Sequence, residues 1–265
     1  MEYLLMYHQG NAPQPYDPTE DDIAAWVADI QARGAGEYGE RLRPGQDATT
    51  VRVRGGQLTV TEGPFTESKE WVGGIDIISV PDLDAALDIA SRHPAARFAS
   101  VEVRPFLAAP DAGTAQPIVP PDFDEREQRG KRYVMFVCVD PTGEPGGNDP
   151  EAWVREMDGR DVRIFGEALR PPEDATQVCT RAGKVIVTDG PFTEAKEWIA
   201  GLDLLEVADL HEAIEVASRH PMAVGGVLVL SPVWPFDVHD DHVARTERER
   251  AEADIRTEPR VGASV

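Results

Sequence analysis

A thirteen-residue stretch occurs twice in this chain and constrains everything it can fold into. Glu62-Gly63-Pro64-Phe65-Thr66-Glu67-Ser68-Lys69-Glu70-Trp71-Val72-Gly73-Gly74 returns as Asp189-Gly190-Pro191-Phe192-Thr193-Glu194-Ala195-Lys196-Glu197-Trp198-Ile199-Ala200-Gly201, 127 residues later. The same offset carries Leu42-Arg43-Pro44 onto Leu169-Arg170-Pro171 and Ala90-Ser91-Arg92-His93-Pro94 onto Ala217-Ser218-Arg219-His220-Pro221. Aligned without a gap, residues 39–94 and 166–221 agree at 32 of 56 positions, so the chain is a tandem duplication. A solenoid is disfavoured, because solenoid units run roughly 20–50 residues and need at least three copies. Two domains of ordinary size fit the 265 residues, each long enough to bury its own core.

Within each copy the local signals repeat. Glu2 to Tyr7 reads as a first, central strand, matched by Lys131 to Val137 at an offset of 130. A helix follows through Ala32, with Thr19 as its candidate cap and Ile23, Trp26, Val27 and Ile30 on one face; Trp153 aligns with Trp26. Thr49 to Arg54, Gly55-Gly56 and Gln57 to Thr61 make a β-hairpin signal. Beyond the repeated loop come a strand at Ile75–Val80, a helix from Asp82 to Arg92 stopped by His93-Pro94, and a last strand at Ser100–Arg104. The order is β-α-β-β-β-α-β, a ferredoxin-like α+β pattern with one added strand. Two helices cover one face of such a sheet, and the second copy is the natural cover for the other, giving an internal pseudo-dimer. The expected division is 1–106 and 131–236 for the two domains. Residues 107–130 form a Pro-rich linker, and 237–265 a charged tail, disordered or an exposed helix.

With 26 basic and 48 acidic side chains the net charge is −22, which opposes direct binding to nucleic acid or to an anionic membrane surface. No apolar run reaches the roughly 18–20 residues of a membrane span, and a cytoplasmic protein is expected. Cys138 and Cys179 fit that compartment as buried free thiols. His239-Asp240-Asp241-His242 lies in the tail, without a core to hold ligand geometry, and neither metal nor organic cofactor is expected.

The repeated loop carries the candidate chemistry. Glu62 and Asp189 read either as turn carboxylates accepting backbone N–H bonds or as acid–base groups in a cleft. Lys69 and Lys196 read as solvated charges or as cations holding an anionic substrate, with Glu67 or Glu194 as a proton-transfer partner. Phe65, Trp71, Phe192 and Trp198 anchor the loops or line a small-molecule pocket. His93 and His220 end helices, where a protonated imidazole suits the helix dipole. His8, at the end of the first strand and replaced by Cys138 in the second copy, is a further candidate for contacting a substrate.

The Glu/Asp-Gly-Pro-Phe loop, its Thr-Glu-x-Lys-Glu continuation, the Asp-Ala-Thr-x-Val strand entry, Asp82-Leu83-Asp84-Ala85-Ala86 and Val101-Glu102-Val103-Arg104-Pro105 resemble the DGPF branch of the YCII-related family. The resemblance implies a dimeric α/β barrel of ferredoxin-like units, here with both halves in one chain. It also implies either cofactor-free lyase or isomerase chemistry on a small, often cyclic, organic substrate, or a non-catalytic role beside an extracytoplasmic-function sigma factor. The enzymatic branch carries a His on the first helix and an Asp near the end of the second. Neither is present here, so only the acidic loop position transfers, to Glu62 and Asp189, with Lys69 and Lys196 as candidate anion holders.

Overall fold

The computed structural model describes residues 1–9, 22–63, 71–107, 117–140, 149–190 and 198–234. Phe65, Lys69, Phe192, Lys196, Thr19 and the tail from residue 237 lie outside the described residues. The first half runs β1 (Glu2–Gln9), α1 (Ile23–Ala32), β2 (Gly36–Leu42), β3 (Thr49–Arg54), β4 (Gln57–Glu62), β5 (Trp71–Ser79), α2 (Leu83–Arg92), α3 (Ala95–Phe98) and β6 (Ser100–Pro105). The second repeats it as β7 (Lys131–Val139), α4 (Pro150–Gly159), β8 (Arg163–Ala168), β9 (Thr176–Arg181), β10 (Lys184–Asp189), β11 (Trp198–Val207), α5 (Leu210–Ser218), α6 (Met222–Gly225) and β12 (Gly226–Trp234). Each half therefore has six strands rather than five. The strand missing from the sequence reading, β2 with its counterpart β8, is short and contains glycine and charged residues, so it carries little of the apolar alternation that marks a strand. The ferredoxin-like unit is β1-α1-β2-β5-α2-β6, and the hairpin β3–β4 is inserted into it.

Local chemistry explains the helix boundaries. Asp22 caps α1, its carboxylate accepting from Ala25 N at 3.1 Å; Asp82 and Asp209 do the same for α2 and α5. Trp26 and Trp153 tie first helix to second in each half, donating from Nε1 to Ile89 O (3.1 Å) and Val216 O (3.2 Å).

The inserted hairpins change partners. β3 pairs with β12 of the other half (Leu228↔Val51 to Leu230↔Thr49), and β9 pairs with β6 (Val101↔Val178 to Val103↔Thr176). Further pairing of β12 with β2 (Val233↔Leu42) and a bridge between Phe106 and Leu169 join the two four-stranded sheets into a ring. Its inside is one apolar cluster drawn from both halves, including Leu4, Met6, Ile75 and Ile77 against Val134, Phe136, Leu202 and Leu204. Outside lie two helix-covered layers, and each takes valines from the exchanged hairpin: Val178 in the first, Val51 with the partly buried Val53 in the second. Fully burying such a side chain contributes roughly 1.5–3 kcal/mol, so the halves are interlocked rather than merely adjacent. Ile118, Val119 and Phe123, from the segment between the halves, also pack on the interior cluster, and Ile118 N donates to Glu2 Oε1 at 2.9 Å.

Candidate functional site

Near the end of β1, Tyr7 and His8 face opposite ways. Successive strand residues alternate faces, so Leu5 and Tyr7 join the helix-covered layer while Leu4, Met6 and His8 point to the ring interior. Tyr7 and His8 each organise a polar cluster.

On the helix side, Tyr7 Oη donates to Asp76 Oδ2 at 2.5 Å. Asp76 comes from β5, between the interior residues Ile75 and Ile77. It is partly buried, and Gly39 on the neighbouring strand leaves room for it; a Cβ there would collide with its carboxylate. Burial raises the Asp76 carboxyl to about 7, against the lowering effect of the Tyr7 hydrogen bond and with Glu40 adding to the rise. The Tyr7 phenol is pushed well up by the same burial and by the Asp76 charge. His93 stacks on Tyr7, ring centroids 4.0 Å apart, and Trp26 meets His93 edge-on at 4.5 Å. Helix-end protonation, the sequence expectation for His93 and His220, does not hold. His93 is buried and His220 partly buried, and each accepts a backbone N–H at Nδ1, from Ala95 at 3.0 Å and Met222 at 3.1 Å. Desolvation, assisted by Arg41 and Arg163 respectively, lowers them to about 3 and about 4.

On the interior side, His8 Nε2 lies 3.1 Å from Glu102 Oε2, and Glu102 pairs with Arg104 two residues along β6. Arg104 also donates to Arg170 O (3.2 Å) and Ile199 O (3.3 Å), reaching the strand that leaves the second repeated loop. Burial alone would raise the Glu102 carboxyl; hydrogen bonding and charge from His8 and Arg104 hold it below the usual value. A second interior group brings Tyr38 to Glu40, which burial raises to about 7 against the Arg132 charge and a Tyr38 hydrogen bond. Arg132 stands over the Phe123 ring at 4.9 Å and bonds Glu206 at 3.1 Å.

The remaining sequence candidates fall elsewhere. Glu62 and Asp189 are exposed last residues of β4 and β10, where Gly63 N and Gly190 N bond back to Ala48 O and Ala175 O. Trp71 and Trp198 are partly buried first residues of β5 and β11; Trp71 packs so closely on Gly45 that a Cβ there would crowd it. Of the named candidates, His8 pairs with Glu102 and His93 stacks on the Tyr7–Asp76 pair. Tyr7, Asp76, Glu102 and Arg104 were missed, although a signal existed. A charge inside an apolar strand (Ile75-Asp76-Ile77-Ile78, Val101-Glu102-Val103-Arg104) is costly unless it is partnered, and the first-strand and last-strand positions turn apolar or small in the second copy. Among the described residues no group of three His, Cys, Asp or Glu side chains is placed to hold a metal, and no helix is long and apolar enough to cross a membrane.

A fused pair of ferredoxin-like units, closed into a ring around a shared interior, defines the protein as an α+β dimeric-barrel type in one chain. The YCII-related domain matches residues 1–107 and again 122–237, and the protein belongs to that family. Among curated proteins, "Uncharacterized protein R00369" of Rhizobium meliloti (strain 1021) is 32% identical over 112 residues, 39% of this chain and 89% of its own length. Among solved structures, that of "Putative Chlorite dismutase TA0507" aligns over 92% of this chain and 98% of its own, with TM-score 0.40 and 9% identity.

Proposed function

We propose that the first half carries a cofactor-free acid–base site for a small organic substrate, and that the second half serves as its structural counterpart. The observation behind this is the Tyr7–Asp76 pair: a partly buried carboxyl near 7, bonded by a phenol at 2.5 Å, with a neutral imidazole stacked behind it. A base whose pKa lies near the working pH is ionised often enough to act and basic enough to remove a proton. In the proposed step a substrate C–H or O–H proton passes to an Asp76 oxygen. Tyr7, donating to the same carboxylate, keeps it oriented, and the proton is returned at another substrate atom (isomerisation) or accompanies a leaving group (elimination). Lys69 and Lys196 keep the proposed role of holding an anionic substrate group, and the repeated loops, with Phe65, Trp71, Phe192 and Trp198, that of contacting its apolar part. The sigma-factor role has no particular residue behind it.

Solvent-deuterium incorporation into a panel of small cyclic enols, ketones and hydroquinones, followed by proton NMR, tests the reading. Exchange above buffer that disappears in Asp76→Asn and persists in Asp203→Asn supports it. No exchange across the panel, or exchange that Asp76→Asn leaves intact, sinks it. Loss only in the Glu62→Gln/Asp189→Asn double variant returns the base role to the loops.

A further inference from the structure

β10 is an edge strand of unusual composition. It pairs only with β9 among the described residues, all six of its residues are exposed, and Val185, Ile186 and Val187 are 52%, 43% and 49% exposed in succession. Three consecutive β-branched residues place apolar surface on both faces of an open edge. Soluble proteins usually protect such edges with charge, proline or a bulge, because free N–H and C=O groups beside apolar side chains recruit another strand. We propose that β10 is the seat of a homodimer, in which the same strand of a second copy continues the sheet antiparallel across a two-fold axis.

The register follows from the hairpin. Ala182 and Gly183 both have positive φ (49° and 73°), a two-residue turn of the mirror-image type, so Arg181 and Lys184 form its closing hydrogen-bonded pair. Backbone groups then alternate: those of Lys184, Ile186 and Thr188 face β9, and those of Val185, Val187 and Asp189 face the open edge. A two-fold normal to the sheet keeps each residue on its own face. Centred on Ile186, it sets Val185 opposite Val187 of the second copy, a hydrogen-bonded pair on either side of the axis. Ile186 meets Ile186 of the second copy directly. Every apolar side chain of the strand thus finds an apolar partner, and the interface is self-complementary as a two-fold requires.

A second copy is favoured over a foreign strand by that self-matching and by charge. Lys184 and Asp189 cancel at the two ends of β10, so the edge is neutral on a chain carrying −22 overall, and salt that screens the remainder strengthens pairing. The equivalent edge β4 is a weaker candidate. It exposes Leu58 and Val60 (51% and 41%) on one face, with Thr59 where β10 has Ile186.

Sedimentation velocity on the full chain tests this at low and high salt. The wild type is expected to sediment as a dimer, more completely at high salt. Val187→Pro should give a monomer with unchanged circular dichroism, because it removes an N–H that only the dimer uses, while Val60→Pro should leave the dimer intact. If Val187→Pro misfolds, a Cys179→Ser/Ile186→Cys chain decides. The directly opposed pair has Cα atoms about 4.5 Å apart, within disulfide reach, and should oxidise to a covalent dimer. A monomeric wild type at the highest soluble concentration, a dimer that Val187→Pro leaves intact while Val60→Pro dissolves it, or a failure of Ile186→Cys to cross-link overturns the proposal.

Discussion

The two halves fold alike but are filled differently. Tyr7, His8, Glu102 and Arg104 in the first half correspond to Val137, Cys138, Val229 and Ser231 in the second, so a buried polar cluster faces an apolar or small one across the internal two-fold. Asp76 and Asp203 are retained as a pair, each beneath a glycine that a Cβ would turn into a clash. Their partners differ in kind. Asp76 has a phenol, whereas Asp203 has the Arg163 guanidinium at 2.6 Å, in the position Gly36 holds in the first half. Burial raises both carboxyls; the Arg163 charge and hydrogen bond oppose the rise at Asp203, whereas at Asp76 the Tyr7 hydrogen bond opposes it and the carboxyl reaches about 7. The duplication therefore kept one scaffold twice and surrounded its paired aspartate with different partners in each half.

The largest expected effect breaks the comparison at the interior cluster. Arg104→Ala breaks the buried pair with Glu102, leaving His8 beside that carboxylate, and removes donations to two carbonyls; it should cost about 3–5 kcal/mol, as removing one partner of a buried ion pair does. Ser231→Ala at the matching position should cost under about 1 kcal/mol, within the usual range for a single neutral hydrogen-bonding group. Urea unfolding of both variants measures the gap; equal losses would mean the interior asymmetry carries no energy.

The paired aspartates give the sharpest contrast, because homologous substitutions should have opposite signs. Asp203→Asn strips a buried arginine of its main partner and should destabilise by about 2–4 kcal/mol near neutral pH. Asp76→Asn should do the reverse above neutrality. The Asp76 carboxyl is raised when folded, so folding takes up a proton there. Its contribution is fully present below the unfolded value near 4 and is lost as pH rises towards about 7. The variant's stability relative to wild type should therefore climb across that window and level off above it. The buried histidines run the other way. His93 and His220 are depressed, so their contribution is present above the unfolded value near 6.5 and is lost as pH falls towards about 3 and about 4. They leave the variant-minus-wild-type difference unchanged. A flat difference across pH would place Asp76 at an ordinary carboxyl value.

The smallest effect concerns the loops. Glu62→Gln and Asp189→Asn replace exposed strand-end groups and should each shift stability by no more than about 0.5 kcal/mol. A much larger loss, measured by the same urea titration, would make these carboxylates staples of the turn rather than surface groups.

The sequence by itself determined the duplication, the α+β class and most of the elements, because those rest on local signals: a long repeat, glycine turns, an Asp cap at Asp82, and a proline stop after His93. It did not show β2 and β8, whose residues pack on neighbours remote in the chain and lack alternation of their own. It drew attention to the repeated loop because identity between copies is conspicuous, whereas Tyr7, His8, Glu102 and Arg104 lie where the copies differ. Only the tertiary structure decided that the hairpins change partners, that Val51 and Val178 complete each other's layers, and that Tyr7 meets Asp76 from sixty-nine residues away. Those are non-local pairings, fixed by which surfaces two half-covered sheets must bury together, and no window of sequence contains both partners.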